Sequence, residues 1–298
     1  MGAQFWWFYD VIVAAAVLVC MFITIKKGIL KASVALVGYA LTLAIAFSLS
    51  SSISGSMYSK TVRSSNIKKM DQTLSNVDFL DDLIRYIENL GYDVYPERGQ
   101  VERICFSGED IEEKLYKYIN NINGRKADEE SAFYNKLHEG YATIINSYVS
   151  KELSMYSAEY ASEQIRTNPK KFCDFMSLIK DTDNLKPAAQ FIVDNYLEKP
   201  YSSQVKLIVL IVMLVFFVIM TIFIETAAGR NSHMEPSLVT HAISGIIGIF
   251  KGVVIIVIIA VMIRLSVVMG SDKMLFFNHD AIDRTWVFKY FYNFIKDI

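Results

Sequence analysis

Two apolar blocks, residues 11–49 and 205–268, flank a segment, 50–204, that carries most of the ionisable side chains of the chain. No other feature restricts the fold as strongly. A helix needs roughly 20 residues to cross a hydrocarbon layer of about 30 Å, and each block is long enough for two such passes. Apolar residues make up 53% of the sequence and charged ones 20%, against about a quarter charged in an ordinary water-soluble domain. The apolar surplus therefore exceeds what one aqueous core would use. It is the pattern of a membrane at both ends and water in the middle.

Four segments qualify as spans. The first, 11–25, follows Trp6, Trp7 and Tyr9, whose amphipathic rings suit a membrane–water interface. The second is 32–49, joined to the first by a tight basic turn containing Lys26, Lys27, Gly28 and Lys31, which predicts a helical hairpin. The third, 205–224, is an unbroken Leu, Ile, Val, Met and Phe run that follows Pro200 and ends at Glu225. The fourth, 242–269, is interrupted by Lys251 and Arg264. The first run lacks a basic leader and a small-residue cleavage site, so it is read as a retained span rather than a signal peptide.

In the polar segment the apolar positions recur at three and four residues, the helical period. Val77, Leu80, Ile84 and Ile87 form one stripe, with Gly91 as its predicted C-cap. Ser107 and Asp110 resemble a capping box for a helix carrying Ile111, Leu115, Tyr118, Ile119 and Ile122 and ended by Gly124. A longer pattern runs from Phe133 through Leu137, Tyr141, Ile144, Ile145 and Tyr148 to Ile165, stopping at Asn168 and Pro169. Two short helices, 169–180 and 187–198, lead back to the apolar block, and the serine-rich stretch 48–59 reads as a polar linker. Near the end, Ile282, Trp286, Lys289, Tyr290, Phe294 and Ile295 predict an aromatic amphipathic helix in the interface plane.

The expected architecture is all-α: an integral membrane helical bundle of about four spans with a soluble helical insert and a C-terminal amphipathic helix. Its parts are an N-terminal hairpin at 1–49, the insert at 50–204, a second pair of spans at 205–269 and the tail at 270–298. Trp6, Trp7, Trp286 and Tyr290 are the candidate interfacial anchors. The lipid bilayer is the first expected partner. A second copy or another membrane protein is the next.

Composition and motifs argue against several chemistries. With 30 basic and 31 acidic residues the net charge is −1, which gives no field to gather nucleic acid. The acidic run Glu109, Asp110, Glu112, Glu113, Asp128, Glu129 and Glu130 reads as a solvated helix face. Three cysteines are too few for a disulfide framework; Cys20 lies in an apolar span, and Cys105 and Cys173 are either a pair or two thiols. His138, His233, His241 and His279 show no zinc-site spacing, and no nucleophile-elbow motif is present. Gly245, Gly248, Lys251 and Gly252 fail the spacing of a phosphate loop. These absences predict a non-enzyme without a metal or cofactor.

Lys251 is the most informative residue, since a charge at the centre of a span costs about 2.5–3.5 kcal/mol on insertion scales. Either it lines a polar route or pairs with an acid such as Glu225 or Asp10, or the apolar run is broken there, with 241–250 interfacial or re-entrant and the span starting near Val253. Of these, the broken run is preferred. Ser244, Gly248 and Gly252 stand four apart, a spacing that lets helix backbones approach closely in lipid. Together with Lys27, Gly28 and Lys251 they are the candidate packing residues.

Orientation follows from the lysines. The short turn with Lys26, Lys27 and Lys31 has no balancing acid, which places it in the cytoplasm and both termini and the insert outside. Lys60, Arg63, Lys68 and Lys69, just after the second span, argue for the reverse. The short turn is given more weight because long domains cross largely regardless of charge.

Two patches are similar to the colicin V production protein (CvpA-like) family of bacterial membrane proteins. One is Asp10, an apolar stretch, Lys27, Gly28 and Lys31. The other is Gly245, Gly248, Lys251 and Gly252 before a Val/Ile run, then Ile282, Thr285 and the aromatics through Tyr290 and Phe291, with Thr285 near the place of a family serine. The patches lie in roughly the first fifty and last hundred residues; the insert 50–204 departs from the compact family pattern. The resemblance implies an inner or plasma membrane location and a part in toxin (bacteriocin) production or secretion, with a wider link to the cell envelope. It implies no catalytic residue. Two other functions fit the residues: a transporter or channel component acting as an oligomer, with Lys251 and the basic turn along its route, and a membrane sensor that receives its signal on the insert.

Overall fold

A computed structural model describes residues 5–228, 237–270 and 279–296. The chain is an all-α helical bundle; among the described residues there is no strand. Among the described residues four helices are long and apolar enough to cross a membrane, which fits a membrane protein. The chain divides into two compact units, residues 1–58 with 202–298 and residues 59–201.

In the first unit, α1 is Trp7–Ile25 and α2 is Ile29–Met57. Between them Gly28 adopts φ 80°, a left-handed conformation that glycine takes without a Cβ penalty, while the Lys27 amide donates to the Thr24 carbonyl at 3.0 Å. A hypothetical Gly28 Cβ meets nothing within 4 Å, so the backbone angle, and not space, calls for glycine. The predicted serine-rich linker is instead helical to Met57. Its hydroxyls turn back on the helix: Ser50 donates to the Phe47 carbonyl and Ser54 to the Ser51 carbonyl, both at 3.1 Å, so a polar side chain does not force an exit.

The second unit begins beyond Tyr58 and contains α3 (Arg63–Ser75), α4 (Phe79–Glu88), α5 (Arg98–Cys105), α6 (Ile111–Asn123), α7 (Glu130–Glu152), α8 (Met155–Thr167), α9 (Pro169–Leu178) and α10 (Lys186–Ile192). A π turn over Val193–Leu197 follows α10. Met70, Leu83, Leu115, Phe133, Tyr141, Phe172 and Phe175 fill one core, with Phe172 5.1 Å from both Tyr141 and Phe175, ring centre to ring centre. Arg63 grips Asp194 with two hydrogen bonds of 2.7 and 2.6 Å, and Arg166 grips Glu139 in the same bidentate way at 2.6 and 2.8 Å.

Three local expectations for this unit need correction. The long pattern from Phe133 to Ile165 is two helices, because the Ser154 hydroxyl accepts from the Ser157 amide and starts a new one while the apolar stripe continues across the break. Ser107 is no capping box: Asp110 is left-handed at φ 49° and caps nothing with its side chain, and Lys114 takes up the Ser107 hydroxyl. The C-cap of α4 is Asn89, two residues before Gly91, although Gly91 does turn the chain at φ 82°.

The first unit also holds α11 (Glu198–Ala228) from residue 202 onward, α12 (Leu238–Met269), α13 (His279–Asp283) and α14 (Phe288–Lys296). The preferred reading of a broken fourth run is wrong, since α12 passes through Lys251 without interruption. Its backbone hydrogen bonds are internal to the helix, so one ammonium does not break it when a counter-charge is near.

Candidate functional site

The counter-charge is Glu225 of α11. Its Oε1 accepts from Lys27 Nζ at 2.8 Å, and its Oε2 lies 3.9 Å from Lys251 Nζ. The Glu225 side chain is 2% exposed, that of Lys251 14% and that of Lys27 33%. Lys251 therefore belongs to the charge cluster, the paired alternative that the sequence left open. Its ammonium also sits 5.3 Å from the ring centre of Tyr39 on α2, a cation–π distance.

Small residues bring the helices close enough for these contacts. A Cβ on Gly248 would lie 2.6 Å from Met21 Cα, and one on Gly252 would lie 2.8 Å from Val17 Cα, so α12 rides against the bare backbone of α1 at both places. On the other side a Cβ on Gly38 would lie 2.4 Å from Thr221 Cγ2, which sets α2 against α11 one turn before Glu225. Thr221 and Thr42 hydroxyls stand 3.5 Å apart there. His241 Nδ1 lies 3.3 Å from the Ile25 carbonyl oxygen and joins the start of α12 to the end of α1. Ser244 is fully buried on α12, and its hydroxyl has no hydrogen-bond partner among the described residues.

A second polar constellation holds the tail. Both carboxylate oxygens of Asp10 accept backbone amides: Trp286 at 2.8 Å, Val287 at 3.0 Å and Phe288 at 3.1 Å. Thr285, fully buried, accepts the Lys289 amide at 2.8 Å. At the far end of α14 the Arg264 guanidinium donates to the Lys296 carbonyl at 3.4 Å. An acid at the N-terminus and a base at the C-terminus match the helix macrodipole at both ends.

The single helix expected in the tail is two, α13 and α14. Phe288, Tyr292 and Ile295 are the buried face of α14, while Trp286, Tyr290 and Phe294 are exposed. Residues 284–287, between α13 and α14, are not helical, so Ile282 and Ile295 lie on separate helices. Trp7 is exposed as well, and the Trp6 ring lies 5.4 Å from that of Trp286. His233 and residues 271–278, the opening of the tail region, lie outside the described residues.

The unit 59–201 offers less chemistry. No group of three or more metal-ligating side chains occurs among the described residues. An open cleft of about 350 Å³ is lined by Asp110, Glu112, Glu113, Tyr134, Lys170 and Cys173. His138 Nε2 is 2.7 Å from Glu112 Oε1 rather than joined to its neighbour Glu139, which Arg166 occupies. Burial pushes the Cys105 thiol up to about 12, and burial with the Glu112 charge pushes Cys173 up to about 11, so both are protonated at neutral pH. Both are free of disulfides, as is Cys20.

The sequence had named Glu225 and Asp10 as possible partners of Lys251, and Asp10 also as part of the family-like patch. It gave no signal for Tyr39, Thr42, Thr221 or Gly38, which are ordinary residues of an apolar run until their neighbours are known. No family model, curated protein or solved structure matches the chain.

Proposed function

We propose that this chain is a multi-pass protein of the bacterial cell membrane that supports production or secretion of a peptide toxin of the colicin V kind, and envelope function, without catalysing a reaction. It works by packing and by contact with other membrane or export proteins. Lys26 to Lys31 face the cytoplasm in this reading, and the unit 59–201 faces outward.

One observation carries the proposal. The two sequence patches that resemble the CvpA-like family, more than two hundred residues apart, meet through their characteristic residues. Asp10 of the first clasps the amides beside Thr285 of the second. Lys27 of the first and Lys251 of the second share Glu225. Gly248 and Gly252 of the second press on α1 within the first. A polar patch kept together inside an apolar bundle is what a fixed scaffold needs.

The buried Ser244 and Tyr39 hydroxyls, without a hydrogen-bond partner among the described residues, favour a second reading, a transporter or channel component whose polar route passes the charge cluster. One variant series separates the two. Glu225→Gln leaves two ammoniums without a counter-charge and is expected to abolish membrane accumulation and toxin export together. Adding Lys27→Met and Lys251→Met removes the surplus charge and is expected to restore both. Restored accumulation without restored export would overturn the scaffold and favour the route.

A further inference from the structure

Among the described residues the charge cluster is unbalanced. Lys27 and Lys251 bring two positive charges to one carboxylate, and a surplus charge in this setting is costly. An ammonium has three donors. Among the described residues that of Lys251 makes no hydrogen bond, because its nearest acid oxygen is 3.9 Å away and its other neighbour is the face of Tyr39. Among the described residues Tyr39 Oη and Ser244 Oγ are buried donors without a hydrogen-bond partner. Ser244 stands seven residues before Lys251 on α12, two turns along the same face.

Direction supplies the rest. Helical side chains lean toward the N-terminus of their helix, so Lys251 leans toward the start of α12. That end meets the end of α1 through His241 and Ile25, beside the basic turn. Lys251 is thirteen residues into α12, about 20 Å along the axis, and its lean brings its charge back toward that turn. Lys26 and Lys31 add to the positive potential there, and no acid lies within the turn.

We propose that Lys251 and Lys27, with the Ser244 and Tyr39 hydroxyls, bind one phosphate oxyanion, which supplies the missing negative charge. Basic pockets between membrane helices at the cytoplasmic side hold lipid phosphates by this chemistry. The same group is present on an anionic phospholipid and as free phosphate. The proposal rests on the membrane placement of the four long helices and not on any role in toxin export.

The test uses the full chain purified in a neutral detergent, with thermal unfolding followed at constant ionic strength. Phosphatidylglycerol, phosphatidylcholine and inorganic phosphate are titrated separately. Phosphatidylglycerol is expected to raise the midpoint and phosphatidylcholine to leave it in place. A rise with inorganic phosphate as well assigns the site to phosphate as such; a rise with phosphatidylglycerol alone assigns it to the lipid. Lys251→Met keeps the Lys27–Glu225 pair and so keeps the fold, and it is expected to weaken phosphatidylglycerol at least about tenfold, read as the concentration for half the midpoint shift. Lys26→Met tests general attraction to the basic turn and is expected to weaken it no more than about twofold, since an exposed charge is screened by salt. No shift with either phosphate source, or equal loss in Lys251→Met and Lys26→Met, overturns the site.

Discussion

The two units solve opposite burial problems. Residues 59–201 hide their aromatic rings, with Phe133, Phe172 and Phe175 fully buried, and keep their Arg–carboxylate pairs near the surface. The other unit shows its large apolar side chains, Phe22 at 58%, Phe216 at 56% and Phe223 at 68% exposed, and buries Glu225, Ser244, Thr42 and Thr285. Only 22–28% of the most apolar window is buried in three of its long helices, and 50% in α12. The difference fits two solvents, water around residues 59–201 and lipid around the long apolar helices. In water, association of apolar surface drives folding; among lipid tails that drive vanishes, and close backbone approach with satisfied polar groups takes its place.

The sharpest way to break this comparison is to remove the same ring from each side. Phe172→Ala should cost about 3–5 kcal/mol, because it leaves a cavity in a packed core. Phe223→Ala should cost under about 0.5 kcal/mol, since the ring it deletes has no packing to lose. Hydrogen exchange of α9 and of α11 in the intact detergent-solubilised protein reads each unit separately. Equal losses at the two sites would mean that the exposed rings of α11 are packed after all.

Glycine gives a subtler contrast. A Cβ on Gly248 meets backbone, Met21 Cα at 2.6 Å, whereas one on Gly140 meets the ring of Tyr86 at 2.6 Å, and a partly buried ring can turn aside. Gly248→Ala is therefore expected to cost about 1–3 kcal/mol by forcing α12 off α1. Gly140→Ala should be near neutral, its clash offset by about 1 kcal/mol of gained helix propensity. Thermal midpoints of the two variants in one detergent check the ordering, and a larger loss at Gly140 would reverse it.

The same contrast explains what the sequence could show. Apolar runs and the period of three and four are properties of neighbouring residues, so the all-α architecture and the four long helices were legible. So was the close-packing signal at Gly248 and Gly252, because small residues four apart share a face before any partner is known. Glu225 was not legible as the hub of a cluster: it stood at the end of a span, where an acid needs no explanation, and its meaning depends on Lys27, 198 residues away. The interruption expected at Lys251 came from treating a charge as a break, when a long-range partner decides the matter. Asp10 gave a family likeness but no geometry, since its ligands are backbone amides that every residue carries.

The smallest effect expected is one of pH, in the unit built for water. Asp78 caps α4 by accepting the Leu80 and Asp81 amides at 3.0 and 3.1 Å, and Arg98 donates to it at 2.7 Å and to Asp81 as well. Burial pushes its carboxyl upward, but the Arg98 guanidinium and the two amides outweigh burial and hold it below the ordinary carboxylate range. A folded value below the unfolded one means that the capping contribution is complete above the unfolded value, about 4, and is lost as pH falls through the folded value. Exchange protection at the start of α4, corrected for the intrinsic rate, should therefore decline below about pH 4. Asp78→Ser keeps a cap that does not titrate, so that decline should disappear while protection near neutral pH falls only slightly. If the serine variant showed the same acid loss, the titrating group would lie elsewhere, and the Glu139–Arg166 pair, also held low, would be the next to replace.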